Sequence, residues 1–361
     1  MAKELWKGNE AIAEAAIRGG CDCYFGYPIT PQSEVPEYMS LHMPEHGKVF
    51  VQAESELAAI NMVYGAAASG MRAMTSSSSP GVALKQEGIS YIATCELPCV
   101  IVNCMRGGPG LGTIQPSQGD YYQAVRGGGH GDYHVFTLAP DSVQEMADFV
   151  SVAFDWAFEY RNPAMILADG TIGQMMEKVV LPAPRRRLTA QEVEERWPWA
   201  ANGTMRHRMP KNRITSLELD PAMMEAKNQD REDRYARAER ECVRYEEIKT
   251  EDADIVLVAF GSSARVCTKA VELAREEGIK MGLLRPITLW PFPKEAIARE
   301  AARAKAMLVV ELNAGQMIDD VRLAVAGRIP VEHFGRLGSG VILTPTEIVD
   351  AAKKMAKERN I

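Results

Sequence analysis

Tyr24-Phe25-Gly26-Tyr27-Pro28-Ile29-Thr30-Pro31-Gln32-Ser33 reads as the end of a buried strand running into a stiff loop. Pro28 and Pro31 fix φ and restrict the residues before them, Tyr27 and Thr30, to extended backbone. Thr30 is therefore held between two rigid points. A hydroxyl at the carboxyl end of a strand suits ligand contact, because open α/β sheets bind ligands there. Taken alone, the same stretch serves equally well as a proline-rich turn that stops a strand.

Outward from this loop the pattern is one of alternation. Asn9 caps a helix over 10–18 that stops at Gly19-Gly20, and a first strand over 22–25 feeds the loop. Further strands are expected over 48–51, 72–75, 99–103, 135–138 and 164–168, with helices between most of them. Ser76 to Gly81 reads as a loop, and 106–132 as a long glycine-rich segment. Such alternation predicts an α/β fold, a parallel sheet covered by helices on both faces. Residues 183–250 break the pattern. They contain Arg185-Arg186-Arg187, read as a solvated face, and Trp197-Pro198-Trp199. This part reads as a connecting arm with one long, largely solvated helix. Alternation resumes at Ile255 and ends on a helix opened by the capping box Thr344-Pro345-Thr346-Glu347. The expected division is 1–182, 183–250 and 251–361, the last a smaller α/β domain.

Composition sets outer bounds. Of 361 residues, 46% are hydrophobic and 25% charged, as in ordinary globular chains. A net charge of -7 gives no electrostatic case for nucleic acid. No apolar run is long enough for a membrane span, and the first residues lack a signal peptide's apolar core, so a cytoplasmic location is expected. Seven cysteines fit reduced thiols better than a disulfide framework.

Several chemistries find no support. Gly108-Pro109-Gly110-Leu111-Gly112 is not a dinucleotide fingerprint, and no phosphate-binding Gly-Lys-Ser/Thr loop occurs. Cys95, Cys99 and Cys104 lack iron–sulfur spacing and read as core or loop thiols. Cys21 with Cys23, and His130 with His134, do not make metal sites. Two charged residues stand out. Glu56 opens a helix just past a strand; an acid there complements the helix dipole, and Glu54 does so equally well. Arg106 follows the most apolar strand of the first half and opens the glycine-rich segment. Its guanidinium suits bidentate binding of a small carboxylate, or it is a surface loop arginine.

Gly26-Tyr27-Pro28-Ile29-Thr30-Pro31, Gln52-Ala53-Glu54-Ser55-Glu56 and Arg106-Gly107-Gly108-Pro109-Gly110 together resemble the alpha subunit of 2-oxoacid:ferredoxin oxidoreductases. Within that family the chain looks most like the subunit of the 2-oxoisovalerate (3-methyl-2-oxobutanoate) enzyme. Cys21-Asp22-Cys23-Tyr24, Leu84-Lys85-Gln86-Glu87-Gly88-Ile89-Ser90, Gly127-Gly128-Gly129-His130-Gly131-Asp132-Tyr133 and Leu284-Arg285-Pro286-Ile287-Thr288 extend the likeness nearly end to end. The resemblance implies a thiamine diphosphate enzyme whose first domain binds the pyrimidine half of the cofactor. The second would then resemble the transketolase C-terminal domain. It implies that Glu56 is the carboxylate that hydrogen-bonds N1′ of the aminopyrimidine and favours loss of the thiazolium C2 proton. It places Thr30 and Arg106 on the family's substrate-binding threonine and arginine, with Pro28 and Ile29 against the cofactor. Carbon dioxide, an acyl group passed to coenzyme A and reduced ferredoxin are the implied products.

A Gly-Asp-Gly followed by Asn, the family's diphosphate and Mg²⁺ site, does not occur, nor do ferredoxin-type cysteines. The resemblance therefore implies a beta subunit for the diphosphate half. It also implies gamma and ferredoxin-like subunits, with iron–sulfur clusters on partner chains. Three alternatives stay open: a 2-oxoglutarate:ferredoxin oxidoreductase alpha subunit, a lipoamide-linked 2-oxoacid dehydrogenase subunit, and a non-catalytic assembly subunit. A 2-oxoglutarate site needs a second cation, which Lys85 or Arg126 supplies only if it faces the site; whether His130 reaches the site is equally open.

Overall fold

The structure, a computed structural model, describes residues 3–202, 211–338 and 340–361. Strand β1 (Glu4–Lys7) leads into helix α1 (Gly8–Arg18), followed by β2 (Cys23–Gly26), α2 (Glu34–Glu45), β3 (Val49–Gln52) and α3 (Glu56–Ala68). Then come β4 (Ala73–Ser77), α4 (Ser79–Thr94), β5 (Cys99–Met105), α5 (Tyr121–Val125), β6 (Phe136–Leu138) and α6 (Val143–Tyr160). β7 (Pro163–Asp169), α7 (Gly170–Gln174), β8 (Met176–Val179), α8 (Ala190–Arg196) and α9 (Pro221–Glu241) complete this part. The remainder runs β9 (Tyr245–Ile248), β10 (Ile255–Val258), α10 (Gly261–Glu276), β11 (Met281–Pro286), β12 (Thr288–Trp290) and α11 (Lys294–Ala301). It ends with β13 (Ala306–Glu311), α12 (Met317–Val325), β14 (Val331–Gly335) and α13 (Pro345–Arg359).

The first sheet has the order β12-β6-β7-β5-β4-β2-β3 and is parallel except for β12 at its edge. The second has the order β14-β13-β10-β11-β9, with β9 the one antiparallel strand. β4, β5 and β7 are buried along their whole length. That is the signature of strands covered on both faces, as the alternation predicted. From β2 the chain moves to one side for β3 and to the other for β4. Crossovers of constant hand then put their helices on opposite faces and leave a crevice at the carboxyl ends of β2 and β4. The loop after β2 carries Thr30, and the junction of β4 with α4 carries the serines 76–79.

Several local expectations need correction. Asn9 does not cap the first helix: Lys7 holds that position, and Asn9 is buried one residue inside. Its amide instead donates to Pro31 O (2.8 Å) and Glu34 (2.7 Å), so a tertiary partner outcompeted the local one. β1 and β8 pair as an antiparallel ribbon that sequence periodicity did not indicate. Helix α9 is not simply solvated. Arg231, Tyr235 and Ala238 form a buried stripe, and the Tyr235 hydroxyl donates to Asn162 Oδ1 (3.0 Å). The three consecutive arginines are exposed, as a solvated face requires, and each is also ion-paired: Arg185 bidentately with Asp155 (2.6 and 2.8 Å), Arg186 with Glu192, and Arg187 with Asp22 (3.4 Å).

Candidate active site

The loop after β2 is pinned from behind. Asn9 and Gln174 both donate to Pro31 O, at 2.8 and 2.7 Å. Gln32 is fully buried and accepts from Ser76 Oγ, which also bonds the Tyr24 hydroxyl at 2.6 Å. The loop is thus tied to β4 beneath it, while Pro28 and Thr30 remain exposed and Ile29 half-buried. Thr30 lines a cavity of about 600 Å³ with Glu34, Gln115, Gly170 and Gln174.

Arg106 lies one residue past β5, and only 6% of it is exposed. Nη1 donates to Thr30 O and Nη2 to Leu111 O, each at 2.9 Å. Two of the five guanidinium N–H groups are so committed, and buried Nε has no partner. The Arg106 amide donates to Ser79 Oγ (3.0 Å), whose hydroxyl in turn donates to Asp120 Oδ2 (2.6 Å). Asn103 Nδ2 donates to the same oxygen at 2.9 Å. Burial pushes the Asp120 carboxyl up, with those two donors opposing. Asp120 stands beside Arg106 in a cavity of about 410 Å³.

Glu56 is the first residue of α3, and Ser55 caps that helix by accepting from the Ala58 amide at 3.2 Å. Only 7% of Glu56 is exposed, yet among the described residues its carboxylate accepts no hydrogen bond. Its Oε1 lies against Gly81 of α4, where a Cβ would stand 2.6 Å from it and 2.1 Å from Ser77 Oγ. Ser77 Oγ and Ser78 Oγ are buried without partners. An unmatched carboxylate that borders Gly81 together with the unmatched Ser77 hydroxyl is a cradle for a flat polar group with donors of its own. An aminopyrimidine fits that description, with ring nitrogen and exocyclic amine. The junction of β4 with α4 joins the two halves of the site: Gly81 borders Ser77 and Glu56, and Ser79 meets Arg106.

Neither proposed second cation reaches this edge. Lys85 is fully buried and donates to Thr75 Oγ1 (2.6 Å) and Ser76 O (3.2 Å). Arg126 pairs with Asp320 at 3.1 Å and covers the Tyr122 ring. The His130 side chain is exposed, and its carbonyl accepts from Ser90 Oγ at 2.6 Å. A larger cavity, about 800 Å³, opens beside Gly20, Asp22 and Arg72, at the amino ends of β2 and β4 and away from these loops. Cys21, Cys99 and Cys104 are buried thiols, each pushed up to about 12 by desolvation, and so poor nucleophiles and ligands.

A family profile described as pyruvate flavodoxin/ferredoxin oxidoreductase, thiamine diphosphate-binding, matches residues 14–245. A second, pyruvate:ferredoxin oxidoreductase core domain II, matches residues 253–348. The chain is 51% identical over 360 residues to the ketoisovalerate oxidoreductase subunit VorB of Methanothermobacter marburgensis, covering 100% of both chains. It is 40% identical over 376 residues to the 2-oxoglutarate synthase subunit KorA of Methanothermobacter thermautotrophicus, covering 98% of this chain and 100% of that one. Among solved structures, a 2-oxoglutarate:ferredoxin oxidoreductase from Magnetococcus marinus superposes with a TM-score of 0.85 at 29% identity. That match covers 98% of this chain and 65% of that one. By profile, by full-length identity and by fold, the chain belongs to the pyruvate flavodoxin/ferredoxin oxidoreductase family and carries its thiamine diphosphate-binding domain.

Proposed function

We propose that this chain is the subunit of a 2-oxoacid:ferredoxin oxidoreductase that holds the aminopyrimidine half of thiamine diphosphate, and that the substrate is 3-methyl-2-oxobutanoate. The observation that carries the substrate choice is the 51% identity, end to end, with a ketoisovalerate oxidoreductase subunit. In this reading residues 1–182 are the pyrimidine-binding domain, 183–250 the connecting arm and 251–361 the transketolase C-terminal-like domain. A beta subunit brings the diphosphate and Mg²⁺ site. Gamma and ferredoxin-like subunits bring iron–sulfur clusters, and coenzyme A takes the acyl group.

Bound thiamine diphosphate supplies the electron sink that decarboxylation of a 2-oxoacid requires. Glu56 accepts the hydrogen bond from N1′ and holds charge there; its lack of a donor among the described residues supports that role. Ser55 fixes the start of α3 and with it the aim of the carboxylate. Pro28 and Ile29 wall the ring. Thr30 offers its hydroxyl to the substrate oxygens. Arg106, with three N–H groups uncommitted, takes the substrate carboxylate.

The second reading, 2-oxoglutarate as substrate, draws on the KorA relative and on the solved structure. The settings of Lys85 and Arg126 favour the branched-chain acid, since each is spent on partners within this chain. The complex reconstituted with its partner subunits, assayed by ferredoxin reduction, decides between them. The expected kcat/KM for 3-methyl-2-oxobutanoate is at least tenfold above that for 2-oxoglutarate. The reverse order would transfer the assignment, and reduction with neither acid would leave the non-catalytic reading.

A further inference from the structure

Lys85 is a charged side chain at the centre of a packed domain, and the cofactor reading gives it no task. It sits on α4, and none of its surface is exposed. Its position on the helix fixes what it faces. Gly81 lies one turn before it and touches Glu56 Oε1; Gly88 lies one turn after it and touches Ile60, with an added Cβ 2.6 Å from Cγ2. Gly81, Lys85 and Gly88 therefore share the stripe of α4 that packs on the Glu56–Ile60 stripe of α3. Two of the three Nζ donors are spent, on Thr75 Oγ1 and Ser76 O of β4. The charged or titratable groups that act on this amine are Glu56 from α3 and Cys99 from β5.

We propose that Lys85 is a positioning residue for Glu56: its ammonium, anchored by Thr75 and Ser76, is the buried counter-charge that holds the cofactor-facing carboxylate in place. A carboxylate on a residue only 7% exposed, with no hydrogen-bond donor among the described residues, is steadied by such a charge nearby. The charge is conditional. Desolvation pulls the ammonium down to about 7, and Glu56 opposes that fall. The counter-charge is thus present below about pH 7 and withdrawn above it.

This inference rests on the assignment of Glu56 to the cofactor, and the test separates the two. Thiamine diphosphate affinity is measured by calorimetry on the reconstituted complex at pH 6 and pH 8.5. In Lys85→Met the dissociation constant at pH 6 rises tenfold or more over the parent; at pH 8.5, where the parent amine is largely neutral, the two converge. Lys85→Met added to Glu56→Gln shifts affinity less than twofold beyond Glu56→Gln alone. A purely structural lysine would weaken binding equally at both pH values and in both backgrounds, and that result would overturn the proposal. Thr75→Val, which removes one anchor with little change in volume, gives a smaller loss in the same direction at pH 6. If Lys85→Met proves unstable, an unchanged Thr75→Val would count against the proposal. Parent-like affinity in Glu56→Gln at both pH values would instead remove the cofactor assignment itself.

Discussion

A carboxylate taken from water without a donor costs stability, so one that persists marks a group kept for another purpose. Glu56 is such a group, and Glu54, two residues earlier, is its natural control. Glu54 is exposed, and its carboxylate accepts from the Ser55 hydroxyl at 3.4 Å. Glu56→Gln keeps the shape and loses the proton-accepting charge, so exchange of the cofactor's C2 proton should slow by roughly 10²- to 10⁴-fold. Glu54→Gln should leave it at the parent rate. Proton NMR of C2–H/D exchange in the reconstituted complex reads both; equal rates in parent and Glu56→Gln would reduce Glu56 to a helix-start acid. The dipole argument left these two acids equivalent, and only the family resemblance singled out Glu56. What separates them is burial, which depends on α4 lying across α3 and is invisible in either helix by itself. Lys85 was legible as a lysine in a family motif, but its direction was not. Arg106 was legible as a strand-end cation, whereas its bond to the Thr30 carbonyl joins residues 76 positions apart.

At the scale of elements, the turn from β4 into α4 concentrates what pattern reading missed. Strand was expected to end at 75 and loop to fill 76–81, since four serines and a proline carry no apolar period. The strand runs to Ser77 and the helix starts at Ser79, because Tyr24 and Gln32 satisfy Ser76 inside the sheet. The β1–β8 ribbon escaped for a related reason: it is two short, mostly exposed strands fixed by pairing with each other rather than by an apolar face. The α3–α4 contact itself yields a paired prediction. Alanine in a helix interior is favoured over glycine by about 1 kcal/mol. At Gly81 the three nearest atoms to the new Cβ belong to two side chains, Ser77 Oγ and Glu56 Oε1 and Cγ, which can turn aside. Gly81→Ala should therefore keep its stability within about 1 kcal/mol while displacing the carboxylate, and lose at least tenfold in cofactor affinity. At Gly88 the Cβ meets the branched core of Ile60. Gly88→Ala should lose about 1–3 kcal/mol of stability through overpacking. Thermal melts of the chain and calorimetry on the complex measure the two effects; a stable Gly88→Ala or a tight-binding Gly81→Ala would contradict the packing described.

The whole molecule is joined more closely than a two-domain division suggests. β12, from the second half of the chain, completes the first sheet against β6. Gln118 pins the halves together: its amide donates to Leu312 O (3.0 Å), its side chain donates to Phe260 O (2.8 Å), and its Oε1 accepts from Ser263 Oγ (2.8 Å). The alternation of strands and helices made both α/β units legible. It could not show the three-residue β12 or a single polar residue that serves both. The candidate site lies at the open edge of this assembly, with Pro28 and Thr30 exposed and apolar Leu111, Ile114 and Leu337 around them. Its contribution to cofactor binding can be bounded. A hydrogen bond to a charged carboxylate supplies about 1.5–3 kcal/mol, and a micromolar complex needs about 8.2 kcal/mol. Packing of one small ring on Pro28 and Ile29 does not close that gap. The remainder has to come from the diphosphate and its metal, for which the sequence carries no Gly-Asp-Gly and Asn set. The isolated chain should therefore bind thiamine diphosphate with Mg²⁺ no more tightly than the high micromolar to millimolar range, and addition of the beta subunit should tighten binding a hundredfold or more. Calorimetry on the purified chain, then on the chain with that subunit, reads both values. Micromolar binding by the chain alone would mean that it holds a complete site, and the division of the cofactor between two subunits would have to be abandoned.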